Sequence, residues 1–273
     1  MRKDYDYNQP IKIGDGVFWI GFCDEETNLH CNPYLIVEGE EAVVIDGGSR
    51  PDFPKVMMKI LKTGLVPGNI KALIYQHYDP DLCGSLPNFE NIINSPELKI
   101  LSTAENHMFI SHYSVASNIV NLSSLNFEYS FKSGRKLKFI KTPFAHAAGS
   151  FVTYDERSKI LFTSDIFGSL SKKWDLFFDI DEKCFTCDLK NICTENPMDC
   201  PFMGIFAFHR STFPSRMVLE YAFSRFEHLD FEMIAPQHGS ILKADVAKVI
   251  IRRLKSLDNI GIEKFVKNEK CNE

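Results

Sequence analysis

Four short apolar segments of the sequence each end at a residue that can bind a metal ion. They are LIYQ before His77, IKTPFA before His146, ILFTS before Asp165 and MIAPQ before His238. Short apolar runs bounded by glycine, proline and polar residues are typical of buried strands. In layered α/β folds, the loops at one edge of the sheets gather residues from distant parts of the chain. The pattern therefore predicts that these four side chains meet in one two-metal site.

The motif that contains the first of these residues, QHYDPD, has three possible metal ligands at alternate positions. They are His77, Asp79 and Asp81. Residues i, i+2 and i+4 of an extended segment point the same way, and Pro80 stiffens the loop, so the three side chains are expected to face one small volume. Taken alone, the motif also fits a polar loop with a hydrogen-bonded histidine and solvated aspartates. The three later residues at strand ends favour the metal site.

Apolar runs and helical spacing predict a chain in which strands and helices alternate. Strands are predicted at residues 17–21, 34–37, 42–46, 71–75, 98–102, 137–142, 151–154, 159–163 and 231–235. Helices are predicted at residues 53–63, from Thr103 to about residue 116, from Ser211 or Thr212 to about residue 226, and at residues 243–257. Residues 172–203 have no clear period and are interpreted as a cysteine-rich insertion. The simplest interpretation is one α/β domain with mixed sheets over residues 1–273.

Charge and hydropathy exclude several classes of protein. Hydrophobic residues make up 44% of the chain and charged residues 25%, as in ordinary globular proteins. A net charge of −5 without a long basic run argues against binding to nucleic acid. The apolar segments are shorter than the roughly 20 residues that span a bilayer, and the N-terminus has no signal core. We therefore expect a cytoplasmic protein that binds neither nucleic acid nor membrane.

Four of the eight cysteines lie together in the segment CFTCDLKNICTENPMDCP. They are Cys184, Cys187, Cys193 and Cys200. Clustered cysteines in a cytosolic chain indicate metal binding rather than disulfides, with free thiols as the plain alternative. Four thiolates suit either a structural zinc ion or an iron–sulfur cluster.

The motifs QHYDPD, FAHAAGS, FTSDIFG and APQHGS, in this order and spacing, resemble the metallo-β-lactamase fold, as does the early segment HCNPYLIVEGEEAVVIDGG. The resemblance implies an αββα sandwich of two mixed sheets flanked by helices. Zinc hydrolases of this fold read H-x-H-x-D-H at the first motif, where this chain has Asp79 and Leu82 at the second and last histidine positions. A carboxylate at the second position is typical of flavodiiron proteins, which hold two irons and reduce dioxygen or nitric oxide.

Closer still is the resemblance to oxygen-binding diiron proteins, which lack the flavodoxin domain of flavodiiron proteins and include oxygen sensors. This chain ends near the close of the metal domain, so no flavodoxin module is expected. By resemblance, one iron is bound by His77, Asp79 and His146, the other by Asp81 and His238, and Asp165 bridges both. Leu82 replaces a further histidine, which leaves the second iron short of one ligand. That position is then open to dioxygen or water, or the second iron binds weakly.

The resemblance implies a non-haem diiron protein for dioxygen, with nitric oxide as the other gas. Such a protein is either a sensor with a signalling partner or an oxidoreductase that takes electrons from a donor protein. The resemblance also implies a homodimer. Three carboxylates with three imidazoles favour iron over zinc. The need for an electron source favours a [4Fe–4S] cluster over zinc at the four cysteines. A zinc hydrolase is the alternative from another class, and a scaffold with vestigial metals is a third. Four other histidines are expected to be surface or core residues: His107, His112, His209 and His228.

Overall fold

Two mixed β-sheets form the centre of the molecule. The computed structural model describes residues 5–22, 29–113, 116–171, 174–187 and 200–269. Within these ranges, the first sheet has seven strands, β1 to β7 in sequence order: β1 (Ile11–Gly14), β2 (Val17–Trp19), β3 (Tyr34–Glu38), β4 (Glu41–Ile45), β5 (Ile70–Ile74), β6 (Lys99–Ser102) and β7 (Asn118–Asn121). The second has six, in the order β13-β12-β11-β10-β9-β8: β8 (Glu128–Ser130), β9 (Lys136–Lys141), β10 (Phe151–Asp155), β11 (Ile160–Phe162), β12 (Met233–Ala235) and β13 (Leu242–Lys243).

The direction of the strands decides where their loops emerge. In the first sheet, β4, β5, β6 and β7 are parallel neighbours. In the second sheet, β10 is antiparallel to both β9 and β11, and β11 is parallel to β12. The strands β9, β11 and β12 therefore run in one direction, and the loops that follow them leave the sheet at the same edge.

Helices cover the outer face of each sheet. They are α1 (Phe53–Lys62), α2 (Pro80–Cys83), α3 (Leu86–Ile93), α4 (Ala104–Ile110), α5 (Glu182–Thr186), α6 (Met203–Thr212), α7 (Arg216–Phe226), α8 (Ala244–Lys255) and α9 (Glu263–Glu269). Val56 and Ile60 of α1 pack with Val44 of the first sheet, whereas α6, α7 and α8 pack on the second. A third apolar cluster joins both sheets and includes Val43 and Phe162. The predicted αββα sandwich is confirmed.

Helix α1 follows directly from its sequence. Pro54 occupies its first turn, where a missing backbone N–H costs nothing. Apolar residues at helical spacing bury one face, and the helix gives way to Gly64, whose φ of 84° favours glycine. The predicted helix at residues 53–63 is therefore confirmed within one residue.

Two predicted helix boundaries are wrong. Ser211 and Thr212, expected to start a helix, instead end α6, and α7 begins at Arg216 after Ser215. The helix after Thr103 ends at Ile110 rather than near residue 116. All residues of helix α6 except Ala207 and Ser211 are buried or half-buried, so its sequence lacks the two-sided pattern that marks a surface helix. In the part of the chain that the structure describes, no helix is long and apolar enough to cross a bilayer.

Candidate metal centre

Strand ends from both sheets bring six polar side chains together. His77 follows β5 of the first sheet, and the chain then turns into α2, with Asp79 just before that helix and Asp81 inside it. His146 lies in the loop between β9 and β10. Asp165 follows β11 and His238 follows β12, and their loops are joined because the N–H of Gln237 donates to the carbonyl oxygen of Ser164 (2.7 Å). The site therefore lies where the two sheets meet.

The QHYDPD motif is not extended along its whole length, as the alternation of its residues predicted. Pro80 starts the short helix α2, because its fixed φ suits the first helical position. Asp81 is therefore turned relative to Asp79. Asp79 faces His77 and His146, whereas Asp81 faces His238.

The distances divide the six side chains into two groups that share Asp165. In the first group, Nε2 of His146 lies 3.4 Å from Oδ2 of Asp79 and 3.0 Å from Oδ2 of Asp165. Nε2 of His77 lies 3.6 Å from Oδ2 of Asp79 and 3.9 Å from Oδ1 of Asp165. In the second group, Nε2 of His238 lies 3.0 Å from Oδ2 of Asp81 and 3.6 Å from Oδ1 of Asp165.

Two buried atoms of the site lack a hydrogen-bond partner among the described residues. They are Nε2 of His77 and Oδ1 of Asp165, on side chains that are almost fully buried. Buried polar atoms nearly always have a partner, so an orphaned pair needs an explanation. Nitrogen and oxygen ligands of one ion, each bound at about 2.0–2.2 Å, are separated by about 3–4 Å. A cation near these two atoms would satisfy both, so the residues fit a metal.

The charges of the site also favour a cation. Burial alone would raise the pKa of Asp165, but His77, His238 and His146 outweigh it and hold that pKa well below its usual range. Burial alone would lower the pKa of His77, yet Asp165 and Asp79 raise it to about 9. The carboxylates thus keep His77 protonated when the site holds no metal. Since a metal binds neutral imidazole, metal binding would release protons.

Residues around the six side chains fix their orientation. Nδ1 of His77 lies 2.8 Å from the hydroxyl oxygen of Ser164, and Nδ1 of His238 donates to the carbonyl oxygen of His30 at 3.0 Å. In both rings Nε2 is therefore left to face the carboxylates. Metal-binding histidines almost always use their other nitrogen in this way.

Two further buried side chains hold the loops behind the site. Burial raises the pKa of Asp46 to about 7, and its Oδ1 accepts a hydrogen bond from the backbone N–H of Gln76 (3.0 Å). His209 accepts from the N–H of Phe167 (3.2 Å) and donates to the carbonyl oxygen of Ile205 (2.7 Å). His209 is therefore a core histidine, one of the two roles that were expected for it. The sequence patterns did not identify Ser164 and Asp46 as residues that support the site. The only signal for them was their position at the ends of strands.

The cysteine cluster lies partly outside the described residues. Cys193 is not described, Cys184 is buried, and Cys187 and Cys200 are half-buried. Arg253 of α8 donates to the carbonyl oxygens of Cys184 (2.7 Å) and Cys187 (3.3 Å). The start and the end of the cysteine segment both adjoin the core under α6 and α8.

Known proteins share both the sequence pattern and the fold. The family described as ODP family beta lactamase matches residues 29–239. The type A flavoprotein fprA of Rhodobacter capsulatus is 25% identical over 248 residues, which cover 86% of this chain and 53% of the relative. The chain thus spans about half the length of that curated relative.

Two solved structures have similar folds. The peroxy diiron species of the chemotaxis sensor ODP has a TM-score of 0.74 at 23% identity, over 95% of this chain and 99% of that chain. The flavodiiron protein from Giardia intestinalis has a TM-score of 0.75 at 18% identity, over 94% of this chain and 60% of that one. Since the family match extends over most of the sequence and includes all six side chains of the site, the chain belongs to the ODP family of beta-lactamase-like proteins.

Proposed function

We propose that this chain is a non-haem diiron protein that binds dioxygen and acts as an oxygen sensor. The observation that carries the proposal is the position of Asp165: its Oδ2 lies 3.0 Å from Nε2 of His146, and its Oδ1 lies 3.6 Å from Nε2 of His238. A carboxylate so placed suits two close cations, because its charge offsets their mutual repulsion. The similar structure of a diiron chemotaxis sensor supports the same role.

The six side chains have separate tasks in this proposal. His77, Asp79 and His146 hold one iron, Asp81 and His238 hold the other, and Asp165 is shared. Three carboxylates with three imidazoles form a hard set of ligands, which suits iron better than a histidine-rich zinc site does. Ferrous ions, when bound, supply electrons to dioxygen, whereas zinc has no redox chemistry. Ser164 and the carbonyl of His30 keep two of the imidazoles turned toward the ions.

Metal analysis of the chain purified without oxygen tests the proposal. Two irons per chain are expected in the centre, and the absorption spectrum is expected to change on exposure to air. Zinc in place of iron, or a spectrum that air leaves unchanged, would contradict it.

A gas reductase is the alternative role for the same centre. Such an enzyme would consume dioxygen or nitric oxide continuously when given a reductant and a small electron-carrier protein. A sensor would be oxidised once, slowly, and would then change its affinity for a signalling partner. Measuring gas consumption over many equivalents of reductant separates the two roles.

A zinc hydrolase, the alternative from another class, is not favoured by the similarity to flavodiiron proteins. It would hold two zinc ions and cleave simple esters. Asp79, in the place of a zinc-binding histidine, counts against it. Ester hydrolysis by the zinc-loaded chain, and none of the expected chemistry with iron, would favour this alternative.

For Cys184, Cys187, Cys193 and Cys200 we propose a second metal site, either a [4Fe–4S] cluster or a zinc ion. The hydrogen bonds from Arg253 to two of these residues support it, because a nearby cation offsets the charge of clustered thiolates. Sulfide and iron, lost together in Cys187→Ser but retained in Cys83→Ser, would indicate a cluster. Loss of zinc alone would indicate a structural ion. If Cys187→Ser retained the sulfide, iron and zinc that wild type holds, the proposed site would be refuted.

We also propose a cytoplasmic homodimer. No disulfide joins the described cysteines, which fits a reducing compartment. Exposed apolar side chains on and near α7 and α9, among them Met217, Tyr221 and Phe265, support self-association. Light scattering during size-exclusion chromatography would give twice the monomer mass, and Met217→Glu with Phe265→Glu would shift it to the monomer.

A further inference from the structure

The two halves of the metal centre are unequal in ligands. The half around His77 has Asp79 and His146 as well, whereas the half around His238 has Asp81 alone beside the shared Asp165. Leu82, which follows Asp81, is buried among apolar side chains and has no atom that can bind a metal. The half around His238 is therefore short of one ligand.

A cysteine lies beside this half of the centre. The sulfur of Cys31, a carboxylate oxygen of Asp81 and a ring nitrogen of His238 all lie within 4.8 Å of one another. Metal–sulfur bonds of about 2.3 Å and metal–nitrogen or metal–oxygen bonds of about 2.0–2.2 Å allow ligands of one ion to be up to about 4.5 Å apart. The three side chains meet that limit to within a few tenths of an ångström.

The backbone holds Cys31 against the loop that carries His238. The N–H of Asn32 donates to the carbonyl oxygen of Gln237 (2.9 Å), and its side-chain amide donates to those of Pro236 (3.0 Å) and Gly239 (2.8 Å). On the other side, the N–H of Phe22 donates to the carbonyl oxygen of Cys31 (3.1 Å). The buried sulfur lies 3.9 Å from Nδ1 of His238, the ring nitrogen that donates to the carbonyl oxygen of His30. Its position is thus fixed from both sides.

The orphaned oxygen of Asp165, which lies 3.9 Å from Nε2 of His77, also faces this half of the centre. Oδ1 of Asp165 is buried without a hydrogen-bond partner in the described residues, and it faces Nε2 of His238 at 3.6 Å. A buried, orphaned carboxylate oxygen that faces the same imidazole nitrogen as Asp81 does is a cation-binding arrangement.

We propose that Cys31 binds the second metal ion as a thiolate, in the position that Leu82 leaves without a ligand. The inference rests on the proposed two-metal function, and adds a sulfur ligand to the half of the centre that holds Asp81 and His238. A thiolate would make this half softer than the half around His77, so the two ions would differ in affinity and in spectrum.

The test uses the full chain, stripped of metal and titrated with Co²⁺, whose bond to a thiolate absorbs in the near ultraviolet. Wild type, Cys31→Ser and Cys83→Ser are compared. Cys83 is the matched control, because it is equally buried and near the site but donates its S–H to the carbonyl oxygen of His77. Cys31→Ala serves if the serine variant fails to fold.

Cys31→Ser is expected to lose one thiolate's share of this absorption and to bind the second ion at least about 10-fold more weakly. Cys83→Ser is expected to retain both. A Cys31→Ser chain with unchanged absorption and two tightly bound ions would overturn the role of Cys31 and leave the two-metal function intact. A wild-type chain that binds no metal outside the cysteine cluster would overturn both.

Discussion

Nδ1 of His77 lies 2.8 Å from the hydroxyl oxygen of Ser164, and this contact joins the two sheets at the metal centre. Ser164 directly precedes Asp165, so one hydroxyl group both orients an imidazole and anchors the loop that carries the shared carboxylate. Because His77 is almost fully buried, no water can readily replace the hydroxyl group.

Ser164→Ala is expected to weaken metal binding about 10- to 100-fold, as is typical when the outer partner of a metal-binding histidine is removed. The ring of His77 would then turn without restraint. Competition with a chromophoric chelator measures the affinity. Ser211→Ala, on the exposed side of α6, is the control and should bind as wild type does. Equal affinities for wild type and Ser164→Ala would refute the orienting role.

Asp165→Asn is expected to leave at most one ion in the centre. An amide has no negative charge with which to offset the repulsion of two cations, and it is a poor bridge between them. Elemental analysis of the variant beside wild type, in which metal at the cysteine cluster is common to both, counts the ions lost from the centre. Asp179→Asn, at an exposed position, should retain both. Two ions in Asp165→Asn would mean that the centre needs no shared carboxylate.

Lys59 should make the free energy of unfolding of the metal-free chain change with pH in the alkaline range. Its ammonium group lies over the ring of Trp19, 4.0 Å from the centroid, and donates to the carbonyl oxygen of Gly21. Burial, with a smaller effect of Lys62, lowers the pKa of Lys59 from 10.5 to about 8. Between these values the unfolded chain binds more protons than the folded chain, so this residue's contribution to stability increases as pH rises from about 8 to 10.5.

Lys59→Met removes that contribution. The difference in the free energy of unfolding between wild type and variant should change by about 3 kcal/mol over this range, in favour of wild type as pH rises. Urea denaturation at several pH values measures it. Lys12→Met, at an exposed position of β1, is the control, and its difference from wild type should stay nearly the same over this range. A constant difference for Lys59→Met as well would refute the pKa shift.

Arg135 is expected to be essential for stability but not for metal binding. Its guanidinium pairs with the fully buried carboxylate of Asp155, binds Glu38 at 3.2 Å and donates to the carbonyl oxygen of Asp15 at 2.9 Å. It thereby links the second sheet to the first. Arg135→Ala should cost about 3–5 kcal/mol, because it leaves Asp155 charged and unpaired in the interior.

Urea denaturation of the metal-free protein measures this cost. Lys132→Ala removes an exposed pair with Glu41 and should cost less than about 1 kcal/mol. The double variant Arg135→Met with Asp155→Leu should be more stable than Arg135→Ala, since it leaves no buried charge. A loss in Arg135→Ala no larger than in Lys132→Ala would contradict the prediction.

Sequence patterns predicted the strands around the centre because those strands are buried and short. Residues 71–75 and 159–163 were predicted within one residue of β5 and β11, and each ends at a polar residue that could be read directly. The structure brings together all six side chains that were predicted as metal ligands, although their role as ligands stays a prediction. Strand direction, which aligns the loops after β9, β11 and β12, explains why position in the chain was sufficient.

What the sequence did not predict depends on tertiary contacts. Ser164 and Cys31 are ordinary residues until the two sheets pack and bring them beside His77 and His238. Strands β7 and β8 are short edge strands with polar residues, and their pairing with a neighbour, not their composition, defines them. The start of α7 was misplaced because Ser211 and Thr212, good helix-capping residues, lie within the last turn of α6.

The division of the six side chains between the sheets has a consequence for unfolding. His77, Asp79 and Asp81 are attached to the first sheet, and His146, Asp165 and His238 to the second. The two sheets already share the apolar cluster that includes Val43 and Phe162, and ions held among the six side chains would add a second tie between them. Binding of the ions would therefore raise the free energy needed to separate the sheets, and a chelator would lower it again.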